Sequence, residues 1–174
     1  MSSADALVGE TSGGAGAPEL NAAQANARAA TLEGRILVGA TPSHQRILRE
    51  LALLSESGQE AALVVGTREA VIYFDVPTAG APFGLPPLTD VIVPVPDPYP
   101  PGVIDLAGLP AGSPILPRLR GGGNNQGAIE AGGQMWQLAS YHPHNNGGGP
   151  PFDPQLHGFH TYFAEVVSWL AKID

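Results

Sequence analysis

The chain has 174 residues, no cysteine and a formal net charge of −8, with only eight Lys and Arg residues. The lack of cysteine excludes disulfides, thiolate metal sites and a cysteine nucleophile. The scarcity of basic residues argues against nucleic-acid binding. No apolar run reaches the roughly 18–20 residues that span a bilayer, and the N-terminal sequence lacks the positive charge and apolar core of a signal peptide. We therefore expect a soluble, cytoplasmic protein that does not contact a membrane.

The N-terminal segment, residues 1–33, is rich in Ala, Gly, Ser and Asn and carries few large apolar side chains. Such a segment buries too little apolar surface to offset the entropy lost on ordering. We predict a flexible tail over residues 1–33 and a single folded domain over residues 34–174.

The first helix of that domain is predicted over residues 42–56. Thr41 or Ser43 can cap its N-terminus, and Pro42 suits its first turn. Apolar side chains recur with a helical period at Ile47, Leu48, Leu51 and Leu54. This pattern favours a helix that packs against a sheet.

Strands are predicted to follow the helix. Residues 61–65 and 70–76 are rich in β-branched side chains and flank a short turn, which predicts an antiparallel hairpin. Residues 88–95 predict a third strand, and residues 103–106 a short fourth one. The segment 94–114 is dense in proline, so we expect it to be extended and to lie outside any central ladder.

The C-terminal part is predicted to consist of a Gly-rich loop over residues 121–133 and a helix over residues 154–171. Asp153 can act as the N-cap of this helix, with Pro154 at its first position. Its apolar face is formed by Leu156, Phe159, Phe163, Val166 and Leu170. The resulting fold class is α+β, with an N-terminal helix, an antiparallel four-stranded meander, long Pro- and Gly-rich loops and a C-terminal helix packed on the sheet.

Four of the five histidines lie between residues 136 and 160. His157 and His160 are three residues apart, so a helix would place them on nearly the same face. Together with His144 and Asp153 they predict a tetrahedral zinc site with an open position. No HExxH motif is present, and the alternative is that the histidines are structural.

Acyl transfer is the second chemistry that this segment allows. Ser140 and His142 share a face if the chain is extended, so the serine could act as a nucleophile and a histidine, His142 or His144, as its general base. The side chain of Asn145 is suited to hold an oxyanion. The alternative is an ordinary serine at the end of a strand.

The order of the elements and motifs resembles the ubiquitin-conjugating (UBC) fold over residues 42–174. The sequence Pro98-Tyr99-Pro100-Pro101 is similar to the proline element that follows the third strand of that fold, and His142-Pro143 matches the start of its His-Pro-Asn motif, with His144 in place of Asn. The chain is most similar to the prokaryotic ubiquitin-conjugating-like family E, on the residues Trp136, Ser140, His142, Asp153, Leu156 and His160.

This resemblance implies a component of a bacterial ubiquitin-like modification system. Its partners would be a ubiquitin-like protein, its activating enzyme and a JAB-type peptidase. Because the chain has no cysteine, the thioester chemistry of the family cannot apply, and the resemblance implies a scaffold or a non-thioester transfer component.

Two other functions remain open on the sequence alone. One is a small metal-binding protein or metal-dependent hydrolase that uses the cluster His142, His144, His157 and His160. The other is an interaction module in which the histidines are structural.

Overall fold

The computed structural model describes residues 41–120, 125–144 and 148–174. The predicted tail, residues 1–33, lies outside the described residues, as does Asn145. The described part has the predicted α+β class, with a six-stranded antiparallel sheet and two α-helices. In chain order these elements are α1 (Pro42–Glu56), β1 (Ala61–Val64), β2 (Ala70–Pro77), β3 (Leu88–Pro94), β4 (Leu106–Pro110), β5 (Asn125–Ala131), β6 (Gln134–Ser140) and α2 (Phe159–Leu170).

Helix α1 has the predicted bounds. The Thr41 hydroxyl oxygen accepts a hydrogen bond from the His44 backbone N–H at 3.2 Å and thereby satisfies one of the free amides of the first turn. Ile47, Leu51 and Leu54 are buried, so the predicted apolar face is the one that meets the sheet.

The first three strands confirm the predicted antiparallel hairpin and third strand, but the fourth strand differs from the prediction. The observed strand is Leu106–Pro110, whereas residues 103–105 lie before it. It pairs with both β3 and β6, so the expectation that the segment 94–114 stays outside the central ladder was wrong. The reason is local, because no proline interrupts residues 102–109 and their backbone N–H groups remain free to pair.

The predicted Gly-rich loop, residues 121–133, contains strand β5, so the prediction of a four-stranded meander was also wrong. Strands β5 and β6 form a hairpin whose two-residue turn is Gly132-Gly133, with φ values of 59° and 77°. A type I′ turn requires positive φ at both central residues, and glycine adopts that conformation without a Cβ clash. The strand order in the sheet is therefore β1-β2-β3-β4-β6-β5.

The sheet has an apolar cluster on each face, because successive side chains of a strand point to opposite sides. Both helices contribute to the larger cluster, whereas only strand residues form the second one. The turn between β1 and β2 reaches strand β5 and so encloses the second cluster. Gly66 in this turn makes an isolated β-bridge to Ala131, and the Thr67 N–H donates to the Glu130 carbonyl at 2.9 Å. A Cβ at Gly66 would overlap the Glu130 carbonyl, so glycine is required at this contact.

Helix α2 begins at Phe159 instead of residue 154. Asp153 does not cap it and instead caps a separate turn, where its carboxylate accepts from Gln155 N–H at 2.8 Å. The two elements are separated by Gly158, whose φ and ψ of −175° and −165° are extended. Leu156, predicted on the apolar face, consequently lies before the helix and is 66% exposed.

The carboxylate of Glu50 joins helix α1 to the N-terminus of α2. It is only 4% exposed and accepts hydrogen bonds from Arg46 Nε at 2.7 Å, the Tyr99 hydroxyl at 2.7 Å and the Phe159 backbone N–H at 2.9 Å. A negative charge at this point also stabilises the positive end of the α2 dipole. A Cβ at Gly158 would overlap this carboxylate, which explains the glycine before the helix.

We expect Glu50→Ala to lower the free energy of unfolding by about 3 kcal/mol, because it leaves a buried hydroxyl, an amide and a guanidinium without their acceptor. Glu56→Ala, at an exposed position of the same helix, is the matched control and should change stability little. Urea denaturation followed by circular dichroism measures both variants. Equal stability of the two variants would contradict the role assigned to Glu50.

Candidate functional site

The ends of strands β4 and β6 bring together a serine, a histidine and an aspartate. Ser140 ends β6 and pairs with Leu106 at the start of β4. One residue further on, the Tyr141 backbone N–H donates to the Asp105 carbonyl at 3.1 Å. Asp105 and His142 therefore lie beside Ser140, where β4 begins and β6 ends.

The three side chains form a continuous series of contacts. The Ser140 hydroxyl is hydrogen-bonded to His142 Nε2, and the opposite ring nitrogen, Nδ1, lies 3.6 Å from Asp105 Oδ2. In the tautomer with the proton on Nδ1, the ring presents an acceptor to the serine and an N–H to the carboxylate. A histidine between a hydroxyl nucleophile and a carboxylate is the arrangement of a serine catalytic triad. The distance of 3.6 Å exceeds a hydrogen bond, and such contacts commonly tighten when substrate binds.

The site is open to solvent. The side chains of His142 and Asp105 are 45% and 48% exposed, and Ser140 is half-buried. A cavity of about 660 Å³ lies elsewhere, between the start of α1, the turn after β1 and the proline-rich segment, and none of these three residues lines it. The site therefore lies at the protein surface and outside this cavity.

The structure brings the two predicted residues Ser140 and His142 together, as their shared strand face requires, but Asp105 was not predicted. Its only signal in the sequence is that it directly precedes an apolar stretch, Leu106–Pro110. Only the register between β4 and β6 shows that it lies beside His142.

His144 lies apart from this series and forms a buried contact within its own loop. It is 6% exposed, and its Nδ1 is hydrogen-bonded to the Pro150 carbonyl at 2.9 Å. Its ring packs against those of His157 and Phe152, at centroid distances of 4.5 Å and 5.6 Å. These contacts join His144 to residues 150–157. Of the two histidines predicted as general base, His142 is the one in contact with Ser140.

The predicted zinc ligands are only partly brought together. His157 Nδ1 accepts a hydrogen bond from the Asp153 backbone N–H at 2.8 Å, so a metal ion could be bound only by the other ring nitrogen, Nε2. His160 lies on α2, where its Nδ1 is buried without a hydrogen-bond partner among the described residues. Across residues 41–120, 125–144 and 148–174, no group of three or more His, Asp or Glu side chains is arranged to hold a metal ion. The zinc site stays a prediction, as does the role of Asn145, which lies outside the described residues.

Tyr141, between Ser140 and His142 in the chain, has its side chain in the core. Its ring stacks on Trp169 at 5.2 Å, and its hydroxyl donates to the Glu165 carbonyl at 2.9 Å. Burial, reinforced by the negative charge of Glu165, raises the pKa of Tyr141 to about 12. Burial likewise raises the pKa values of Tyr73, Tyr99 and Tyr162.

Comparison with known proteins gives no relative, since no family model, curated protein or solved structure matches the chain. Within the described residues, neither helix is long and apolar enough to cross a membrane.

The raised tyrosine pKa values predict a loss of stability at alkaline pH. In the unfolded chain a tyrosine ionises near pH 10, whereas in the folded protein Tyr141 ionises at about pH 12. The stabilisation is therefore complete below about pH 10 and is lost as the pH rises toward the folded pKa, by about 1.4 kcal/mol per pH unit for each tyrosine. Unfolding free energies measured across this range, with tyrosinate absorbance recorded in parallel, test it. A flat stability profile with ionised tyrosines in the folded protein would contradict their burial.

Proposed function

We propose that this protein is an acyl-transfer component that carries the acyl group as an oxyester on Ser140. The observation that carries the proposal is the series of contacts from the Ser140 hydroxyl through the His142 ring to the Asp105 carboxylate. In this proposal His142 acts as the general base for Ser140, and Asp105 is the group that orients His142.

The proposed reaction has two steps. The Ser140 oxygen attacks an activated acyl carbonyl, its proton passes to His142 Nε2, the bond to the leaving thiol or phosphate breaks, and the leaving group takes up that proton. An amine then attacks the oxyester and gives up a proton to His142, the bond from the acyl carbon to the Ser140 oxygen breaks, and His142 returns the proton to that oxygen, which regains its hydroxyl. The histidine is essential to this route, because an unassisted serine hydroxyl is a weak nucleophile at neutral pH.

The exposure of the site favours a polypeptide as the acyl group. Small-molecule sites usually enclose most of their ligand, whereas His142 and Asp105 each remain nearly half exposed. A flexible C-terminal tail of a partner protein can reach such a surface. This is the substrate that a ubiquitin-like system would supply.

The proposal therefore includes the expected resemblance to UBC proteins. It is supported by the order of a helix, an antiparallel sheet and a C-terminal helix, and by the position of His142-Pro143 directly after the last strand. The six strands of the sheet exceed the expected four. In this proposal the donor is a ubiquitin-like protein activated by its own enzyme, a JAB-type peptidase serves the same system, and Ser140 replaces the cysteine of the thioester route.

The test uses a synthetic peptide thioester that ends in Gly-Gly. We expect the wild-type protein to gain one peptide on Ser140, in a bond that resists thiol reductants and is cleaved by hydroxylamine. Ser140→Ala should abolish the adduct, and His142→Ala should slow its formation by about 100-fold or more. Ser168→Ala, an exposed serine on α2, is the matched control and should react like wild type. An unmodified wild-type protein, or a modified Ser140→Ala variant, would refute acyl transfer; if the protein still bound the ubiquitin-like partner, it would be a scaffold.

A further inference from the structure

We infer that Tyr141 is the positioning residue of the site, through which helix α2 fixes Ser140 and His142 relative to Asp105. This inference rests on the proposed function and adds to it a residue that touches neither substrate nor reacting atoms. The inference rests on the position of Tyr141 directly after β6, where its side chain belongs to the helix-covered cluster and its two neighbours, Ser140 and His142, do not.

The side chain of Tyr141 is held by three contacts with α2. Its ring is stacked on Trp169, with an interplanar angle of 17°, and lies edge-on to Tyr162 at a centroid distance of 6.2 Å. Its hydroxyl donates to the Glu165 carbonyl at 2.9 Å. Trp169 and Tyr162 are themselves at most 1% exposed, so this anchor belongs to the rigid core.

The backbone of Tyr141 is held on both sides as well. Its N–H donates to the Asp105 carbonyl, and its carbonyl accepts the Tyr162 hydroxyl at 3.3 Å. The peptide units that carry Ser140 and His142 are therefore tied to Asp105, directly before β4, and to helix α2.

The position of this residue matters for reactivity because misplacing catalytic groups by about 1 Å can slow a reaction roughly 100-fold. The contact between His142 and Asp105, at 3.6 Å, is the one that a small shift of residue 141 would lengthen. Loss of the Tyr141 hydroxyl should therefore lower the rate of the chemical step while leaving the binding of a reagent unchanged.

The chain offers a matched pair of substitutions. Tyr141→Phe removes a hydroxyl that donates to the α2 carbonyl of Glu165, and Tyr73→Phe removes one that donates to the α2 carbonyl of Phe159 at 2.7 Å. Both tyrosines are buried, so each variant loses one hydrogen bond made by a buried tyrosine. Only Tyr141 is next to Ser140.

The measurement is labelling of the full chain by a fluorophosphonate probe, in which the Ser140 oxygen displaces fluoride from phosphorus. The concentration dependence of labelling separates the limiting rate from the apparent affinity. We expect Tyr141→Phe to lower the limiting rate about tenfold with unchanged affinity and to shift the ring proton resonances of His142. Tyr73→Phe should change neither the limiting rate nor the His142 resonances, although its free energy of unfolding should fall by about as much as that of Tyr141→Phe.

A second variant keeps the inference testable if Tyr141→Phe does not fold. Tyr162→Phe removes the hydroxyl that holds the Tyr141 carbonyl and should also lower the limiting rate. If Tyr141→Phe and Tyr73→Phe label alike while Ser140→Ala does not label, the positioning role is refuted and the proposed function stands. If wild type does not label, or Ser140→Ala labels equally well, both are refuted.

Discussion

The buried carboxylate of Glu50 is the interaction on which the arrangement of the helices depends. A desolvated charge is costly unless its oxygens are satisfied, and here the donors come from α1, the proline-rich segment and the first residue of α2. These three parts are distant in sequence, so only one relative placement supplies all the donors. That placement excludes a side chain at Gly158 and sets where α2 begins. Since α2 carries the partners of Tyr141, the same carboxylate indirectly determines the surroundings of Ser140.

The two faces of the sheet differ in what covers them. The face under the helices holds Tyr141 and the larger apolar cluster, and the opposite face carries the second cluster, with Leu138 in it. By alternation along β6, Ser140 follows Leu138 on that second face. The end of β6 is therefore packed against the helices on one side, and the proposed nucleophile lies on the other. A rigid support of this kind positions catalytic groups better than a loop would.

The sequence predicted the parts of the fold that depend on local periodicity and failed where pairing between distant segments decides. Helix α1 was found from its apolar period and cap, and the first three strands from their β-branched residues. The fourth strand was predicted over residues 103–106, but its bounds and its pairing inside the sheet were missed beside the neighbouring prolines. Strand β5 was missed because its glycines lower strand propensity. The Gly132-Gly133 turn was a readable signal, because two glycines between short alternating segments favour a hairpin. The start of α2 depends on Glu50, 109 positions away in the chain, which no local pattern reveals.

The candidate site shows the same division. Ser140 and His142 were predicted together because a spacing of two along a strand is local information, whereas Asp105 depends on the register of β4 against β6. Because the chain has no cysteine, Asp105 matters for the proposed route through Ser140. A cysteine is partly ionised at neutral pH and needs little help, but a serine hydroxyl needs a base, and a base works best when a carboxylate fixes its tautomer and orientation. In the proposed acyl transfer, Ser140 would therefore depend on His142 as its base and on Asp105 to orient that base, whereas a cysteine would depend on them less.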